Sequence, residues 1–462
     1  MVVLWGILSS AALFADSRVF LGEEEQEKRL YNYRTVSTGS INTSLPDEAF
    51  LLAIASDTWK YFQDVTDRES GFTIDNVIVY STHSRVYSYT SVTNIGLQLM
   101  CIVSGYDFGF ISADTATVRI ERILDSIEQL DTWKGMYFNY YETDTLNPSG
   151  SFVSTVDNGW LAAGIIVAKQ AFPDEVGEKC QALIDKFDFG TFYNEEIGQL
   201  CLGYDAEKNE ISPYHYGLFC TEPRIASYIA IAKEDVPLEH WFSIPRTLPS
   251  EWEWQQQIPQ GVVKEYEGRQ VYEGYYTYED IEFVPSWGGS LFEFLMPTMV
   301  LKEQELGRRG LGLNNKIAIN AHINYAINES SYPVWGISPC AVPSDLEKYS
   351  EYGVPYLGSK GYDEAGVVTP HVSFLALPIE PEKAIRNIRE FAKIKGMYGQ
   401  YGFYDSVDVQ SGEVATKYLC LDQAMTLISI NNYLHHGIIR SRFHQEPMIK
   451  EHERLLYIEQ FF

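Results

Sequence analysis

Two kinds of helical segment alternate along this chain, and few folds accommodate both. Six segments, at about residues 47–63, 112–130, 174–187, 312–328, 380–393 and 437–452, carry an apolar stripe at 3.6-residue spacing opposite a charged face. A helix with one wet side has this pattern. Their partners, at about 91–106, 155–170, 221–232, 288–302, 365–377 and 417–435, are apolar on nearly every side and must be buried. The starts of the buried set recur at intervals of about 65 residues, a loose repeat of one helical hairpin. Six hairpins closing on themselves make an all-α fold, an (α/α)6 barrel or toroid, with the buried helices as its inner ring. The competing architecture is an open solenoid, whose repeats are usually shorter and more uniform than these.

The repeat accounts for a length of 462 residues without a second domain. Residues 41–462 therefore read as a single catalytic-type domain, and residues 1–40 as an N-terminal leader or surface segment. Residues 2–15 are apolar and end in small side chains, like the core of a secretory signal. No Lys or Arg precedes them, and they are too short to span a bilayer. The expectation is a chain without an integral membrane span, periplasmic or secreted, with a cytoplasmic place as the alternative. The charged run Glu23–Arg29 reads as solvated surface or the start of an exposed helix. The longest connection, 235–287, holds Trp241, Trp252 and Trp254 and an expected β-hairpin within 262–284, with Glu267 and Gly268 near its turn. Connections this long usually form lids or binding walls, so the hairpin is placed on the rim of a cleft.

With 63 acidic against 35 basic residues the net charge is −28, which repels phosphate backbones and anionic headgroups. Nucleic acid is excluded as a partner. Aromatic residues reach 14%, with 32 Tyr and 9 Trp, more than a core requires. An acidic, aromatic-rich surface suits a neutral, hydroxyl-rich ligand: sugar C–H faces stack on rings while carboxylates accept hydroxyl hydrogen bonds. Acidity also confers solubility by itself, so the charge alone does not decide. Cys101, Cys180, Cys201, Cys220, Cys340 and Cys420 lack zinc-like spacing and read as buried free thiols. His435-His436 and the scattered His83, His215, His322 and His371 show no ligand spacing, so neither a metal nor another cofactor is expected. The glycine-rich stretch 307–312 joins two helices instead of following a strand, and reads as a turn. No GxSxG elbow is present.

Polar groups enter the apolar helices only at their starts: Ser91-Val92-Thr93-Asn94, Thr155-Val156-Asp157, Thr221-Glu222-Pro223-Arg224, Gly288-Gly289-Ser290 with Glu293, Asp363-Glu364, and Asp422-Gln423. Helix capping and the helix dipole account for many of these. They account poorly for Glu222 and Glu293, which lie just inside apolar helices where an unpaired charge is costly unless a polar cavity receives it. The loops before these starts are aromatic, including Tyr137, Phe138, Tyr140 and Tyr141, then 214–219, 332–335 and 398–404. Paired carboxylates between aromatic walls are what glycosidic cleavage needs: one acid protonates the leaving oxygen and the other activates water or attacks the anomeric carbon.

Three stretches, 90–97 (TSVTNIGL), 152–157 (FVSTVD) and 287–293 (WGGSLFE), together with Val334-Trp335-Gly336, Tyr352-Gly353-Val354-Pro355, Tyr401-Gly402-Phe403-Tyr404-Asp405 and Arg442-Phe443-His444, resemble the bacterial glucoamylase-like glycoside hydrolases. That group includes endo-β-1,2-glucanases and the glycosidase-like region of cyclic β-1,2-glucan synthases, and the resemblance implies an (α/α)6 fold from about residue 47 onward. It implies that Glu222 matches an acid proposed as catalytic in these enzymes, and that Asp157 matches a second acidic position where some relatives carry Glu. Asp405 stands where the synthases often carry Glu. Asp422-Gln423 replaces a His pair common in the synthases and looks more like the free-standing glucanases.

The reading is therefore a monomeric glycoside hydrolase, with transglycosylation as a variant of the same chemistry, acting on a β-glucan and favouring endo-cleavage of β-1,2-glucan. Glu222 is the expected general acid and Asp157 the assisting base, nucleophile or water holder, with Glu293 and Asp405 as further carboxylates. Trp160, Tyr140, Tyr141, Trp287, Trp335, Tyr404 and Arg224 are the expected substrate contacts. Two rivals remain: an exo-acting α-glucosidase of glucoamylase type, and a catalytically silent glycan-binding protein.

Overall fold

The computed structural model describes residues 20–31, 33 and 36–461. The apolar segment 2–15 lies outside the described residues. The first two buried helices form as the periodicity predicts, at Val92–Asp107 and Thr155–Ala171, and the last at Cys420–Leu434. The other three are shorter than expected, for reasons local to their sequences. The third, Arg224–Ala232, begins only after Pro223. The fourth, Leu291–Leu295, tightens into a 3₁₀ turn at Met296–Met299, where Pro297 removes a backbone donor. The fifth, His371–Ala376, starts after Pro370, because Val367–Val368 is taken into a strand paired with Ser406–Asp408.

The partners of the inner helices are Asp47–Asp64, Ala113–Ile127, Pro173–Ile184, Leu311–Ile323 and Pro381–Lys393, of which Leu311–Ile323 lacks the expected charged face and buries Asn314, Asn315 and His322. The sixth is split into Ile438–Phe443 and Pro447–Glu451, since Pro447 cannot continue a helix. Val92–Asp107 packs against Thr155–Ala171 and Cys420–Leu434, Thr155–Ala171 against Arg224–Ala232, and His371–Ala376 against both Leu291–Leu295 and Cys420–Leu434. The first of these contacts is backbone to backbone. A Cβ on Gly96 would lie 2.3 Å from the Trp160 carbonyl oxygen, and one on Gly164 would lie 2.1 Å from that of Gly96. Among the described residues no helix is long and apolar enough to cross a membrane. The six cysteines are buried and unpaired.

The all-α expectation with a single β-hairpin needs extending, because the described residues form nine small sheets of two or three strands. Several deliver the chain to an inner helix. Tyr89–Ser91 and Phe152–Ser154 end in the serines whose hydroxyls cap the next helix, accepting from the backbone N–H of Asn94 and Asp157. The expected hairpin pairs Gln260–Tyr266 with Arg269–Tyr278 and adds a third strand, Ile281–Phe283. Glu267 and Gly268 form its two-residue turn at φ +52° and +79°, as a type I′ hairpin turn requires. The hairpin packs on the short helix Glu239–Ser243, and none of its residues lines the cleft, so its placement on the cleft rim is corrected.

Candidate active site

The starts of the inner helices meet at a cavity of about 600 Å³. Its wall takes Ser91, Thr93 and Asn94 from one helix start, Asp157 and Trp160 from the next, Thr221, Glu222 and Pro223 from the third, and Phe292 and Glu293 from the fourth. Tyr140, Tyr214, Tyr216, Trp287, Tyr349 and Tyr362 supply aromatic surface.

Glu222 sits in the turn that opens Arg224–Ala232. Two residues on, Arg224 points the other way and anchors that turn in the core. Its guanidinium donates from Nε to Glu303 Oε1 (2.7 Å), from Nη1 to the carbonyls of Thr221 (2.9 Å) and Glu293 (3.0 Å), and from Nη2 to the carbonyl of Phe294 (2.6 Å) and to Glu303 Oε2 (3.0 Å). All five of its N–H groups are engaged, so none is left for a sugar. Arg224 thus ties the third inner helix to the fourth, and its expected role as a substrate contact is corrected.

Three of the cleft carboxylates, Glu293, Asp157 and Glu222, differ in their surroundings. Glu293 accepts from five donors: the hydroxyls of Ser286 and Ser290 and the backbone N–H groups of Trp287, Gly288 and Ser290, at 2.8–3.2 Å. Burial pushes its pKa up and those donors pull against it. With these donors around it, Glu293 organises the 286–290 loop and closes the capping box with Ser290. Asp157 is also buried and raised by burial, opposed by the hydroxyls of Ser154 and Thr93, the latter at 2.6 Å from Oδ1.

Glu222 receives no side-chain hydrogen bond from another described residue. Burial, then the charges of Glu293 and Asp157, push its pKa up to about 8. Part of its surface still meets the cleft. A carboxylic acid protonated at neutral pH and open to a cavity is equipped to give a proton to a bound molecule.

A second acidic cluster lies behind the cleft wall. Asp405, Asp422 and His371 surround a void of about 10 Å³, with Tyr404 and Gln423 at its edge, roughly the room one water needs. His371 Nδ1 lies 3.1 Å from Asp422 Oδ2, and Asp405 accepts from the Ala341 backbone N–H. Burial and the charge of Asp422 hold the Asp405 carboxyl well above the usual range, burial raises Asp422 to about 6, and burial lowers His371 to about 4. The pair therefore keeps a proton at neutral pH while the imidazole stays neutral.

Of the expected site residues, Glu222, Asp157, Glu293, Trp160, Tyr140 and Trp287 line the cleft, while Asp405 and Tyr404 line the smaller void. Tyr141 and Trp335 are buried in the core away from both, so the structure gives them no place at the cleft surface. Tyr141 spends its hydroxyl on the Asp131 carbonyl and the Phe138 N–H. The cleft also holds residues that periodicity does not mark: Asp75, Tyr349, Glu351 and Tyr362. Asp75 accepts from the side-chain amides of Asn94 (2.7 Å) and Asn76 (2.9 Å). Tyr362 explains Gly288, where a Cβ would come within 2.0 Å of its ring.

The starts of apolar helices thus enclose an acid-lined, aromatic-walled cleft. The Glycoamylase family model matches residues 255–447, and a family of unknown function, DUF3131, matches residues 53–198. The chain is 24% identical to the cyclic β-(1,2)-glucan synthase NdvB of Rhizobium meliloti, over 87% of this chain and 18% of that protein. It is 21% identical to an exo β-1,2-glucooligosaccharide sophorohydrolase (non-reducing end) of Parabacteroides distasonis, over 84% of this chain and 55% of that protein. It thus spans less than two thirds of either relative. Among solved structures, the endo-β-1,2-glucanase of Chitinophaga pinensis superposes with a TM-score of 0.70 at 16% identity, covering 90% of this chain and 99% of the other. The chain is thus similar to the glucoamylase-like glycoside hydrolases over residues 255–447 and shares the fold of a solved endo-β-1,2-glucanase.

Proposed function

We propose that the chain hydrolyses β-1,2-glucan in this cleft, with Glu222 protonating the departing glycosidic oxygen and Asp157 as the second carboxylate, holding or activating the water. The observation that carries the reading is the Glu222 carboxyl, kept protonated at neutral pH by burial and by two neighbouring acids while it faces an aromatic-walled cavity. The linkage is supported by two relatives whose names specify β-1,2-glucans. We further read the inner-helix contacts as a closed (α/α)6 toroid formed by residues 41–462, monomeric, endo-acting, and working in the periplasm or outside the cell.

Reducing-sugar release over β-1,2-, β-1,3- and β-1,4-glucans and starch, with product sizes, tests this. Release from β-1,2-glucan as a mixture of chain lengths is the expected result. A single small product from chain ends would replace endo by exo action, and release from starch alone would favour the α-glucosidase. Binding with no release from any of them would leave a glycan-binding protein.

The alkaline limb of kcat/KM should fall near pH 8, since catalysis needs Glu222 protonated and its pKa is raised to about 8. Glu293→Gln removes one of the charges that raise it, so the limb should move to lower pH. An unmoved limb in that variant would show that some other group sets it.

A further inference from the structure

The long connection before the cleft contains an aromatic feature that the cleft does not absorb. Trp252 and Trp254 are 44% and 46% exposed, unusual for indoles, and their rings stack with centroids 5.9 Å apart at 27°. Trp254 meets Trp287 edge to face at 6.0 Å, and Trp287 is part of the cleft wall. Three indoles therefore run in series from the cavity to the surface.

The loop that carries the outer two is pinned in place. Gln255 donates to the Pro249 carbonyl (2.8 Å) and accepts from the Tyr276 hydroxyl (2.7 Å). Gln256 donates from its backbone to the Ser359 carbonyl (2.8 Å) and from its side chain to that of Lys360 (2.7 Å). Gln257 exchanges two bonds with the Thr277 backbone. The same 359–361 segment also holds Trp287, because the N–H groups of Lys360 and Gly361 donate to the Trp287 carbonyl. One strip of backbone thus fixes the inner and the outer indoles relative to each other.

We propose that Trp252 and Trp254 form a sugar-binding subsite outside the cleft, on which a glucan chain leaving past Trp287 continues. Flat, half-exposed rings in fixed register suit the C–H faces of successive pyranose units, and the exposed carboxylates of Glu251 and Glu253 beside them suit their hydroxyls. The ligand is the same neutral glucan, so this inference rests on the cleft being a β-glucan site. A net charge of −28 speaks against an anionic lipid surface as the occupant instead.

The test compares the native chain with W252A/W254A on long β-1,2-glucan and on the shortest β-1,2-oligosaccharide the native chain cleaves. KM for the long chain should rise about tenfold with kcat retained, while the oligosaccharide changes less than about twofold. Equal KM for the long chain in both proteins, or the same rise for both lengths, overturns the subsite and leaves the cleft reading intact. No cleavage of any β-glucan by the native chain overturns both. If the double variant fails to give a native thermal melt, W252A alone, whose indole stacks on Trp254, should show the same length dependence at smaller amplitude, and its absence there also overturns the subsite.

Discussion

Glu222→Gln should lower kcat by about 10²–10⁴-fold, the range a positioned general acid contributes, with a thermal melt close to the native chain's in acid and no lower at neutral pH. Glutamine keeps the shape of the side chain and cannot deliver a proton. The folded carboxyl titrates at about 8 against an ordinary 4.5, so its stabilising contribution is complete below the ordinary value and is lost as pH rises through 8. The variant should therefore flatten part of the stability decline between those limits, which denaturant midpoints across the range would reveal. Wild-type turnover in Glu222→Gln would remove this residue from the chemistry and shift attention to Asp157 and to the Asp405–Asp422 pair.

The largest loss of stability is expected from Arg224→Ala. Arg224 and Glu303 are 1% and 0% exposed at their side chains, and Glu303 accepts from Arg224 and, at 2.7 Å, from Asn315. Removing the guanidinium strands a buried carboxylate and leaves the carbonyls of Glu293 and Phe294 without their donors, at a cost of about 3–5 kcal/mol. Because those carbonyls belong to the fourth inner helix, the Glu293 loop should loosen too, so activity should fall even though Arg224 touches no substrate. The double variant R224M/E303L, which removes both charges, should recover much of the lost denaturant midpoint. A double variant no more stable than Arg224→Ala would mean that the carbonyl contacts, and not the stranded charge, dominate.

Much of this molecule is legible in its sequence because burial imposes periodicity. The apolar faces of Val92–Asp107, Thr155–Ala171 and Cys420–Leu434 announce themselves over many turns, and Ser91, Ser154 and Ser290 mark starts by ordinary capping chemistry. Where a helix is only one or two turns long, as at Leu291–Leu295 and His371–Ala376, periodicity has too few residues to mark its ends, and a neighbouring proline decides them. The cleft residues Asp75, Tyr349, Glu351 and Tyr362 escape notice because they come from strands and loops without a repeating pattern.

The starts near Asp157, Glu222, Glu293 and Asp422 are visible from sequence as the places where acids enter apolar segments. The 3.6-residue period and the cost of a lone charge in an apolar segment place them along the chain to within a few residues. The roles of those acids depended on contacts between segments far apart in the chain. Five donors converge on Glu293 and fix it in the loop, whereas Glu222 receives no such side-chain donors among the described residues and its pKa is pushed up to about 8. Arg224, only two residues from Glu222, turns inward to Glu303, seventy-nine positions away, and is spent there. Proton affinity and hydrogen-bond satisfaction are properties of a three-dimensional neighbourhood, so only the tertiary structure could separate the acid that can act from the one that holds the loop.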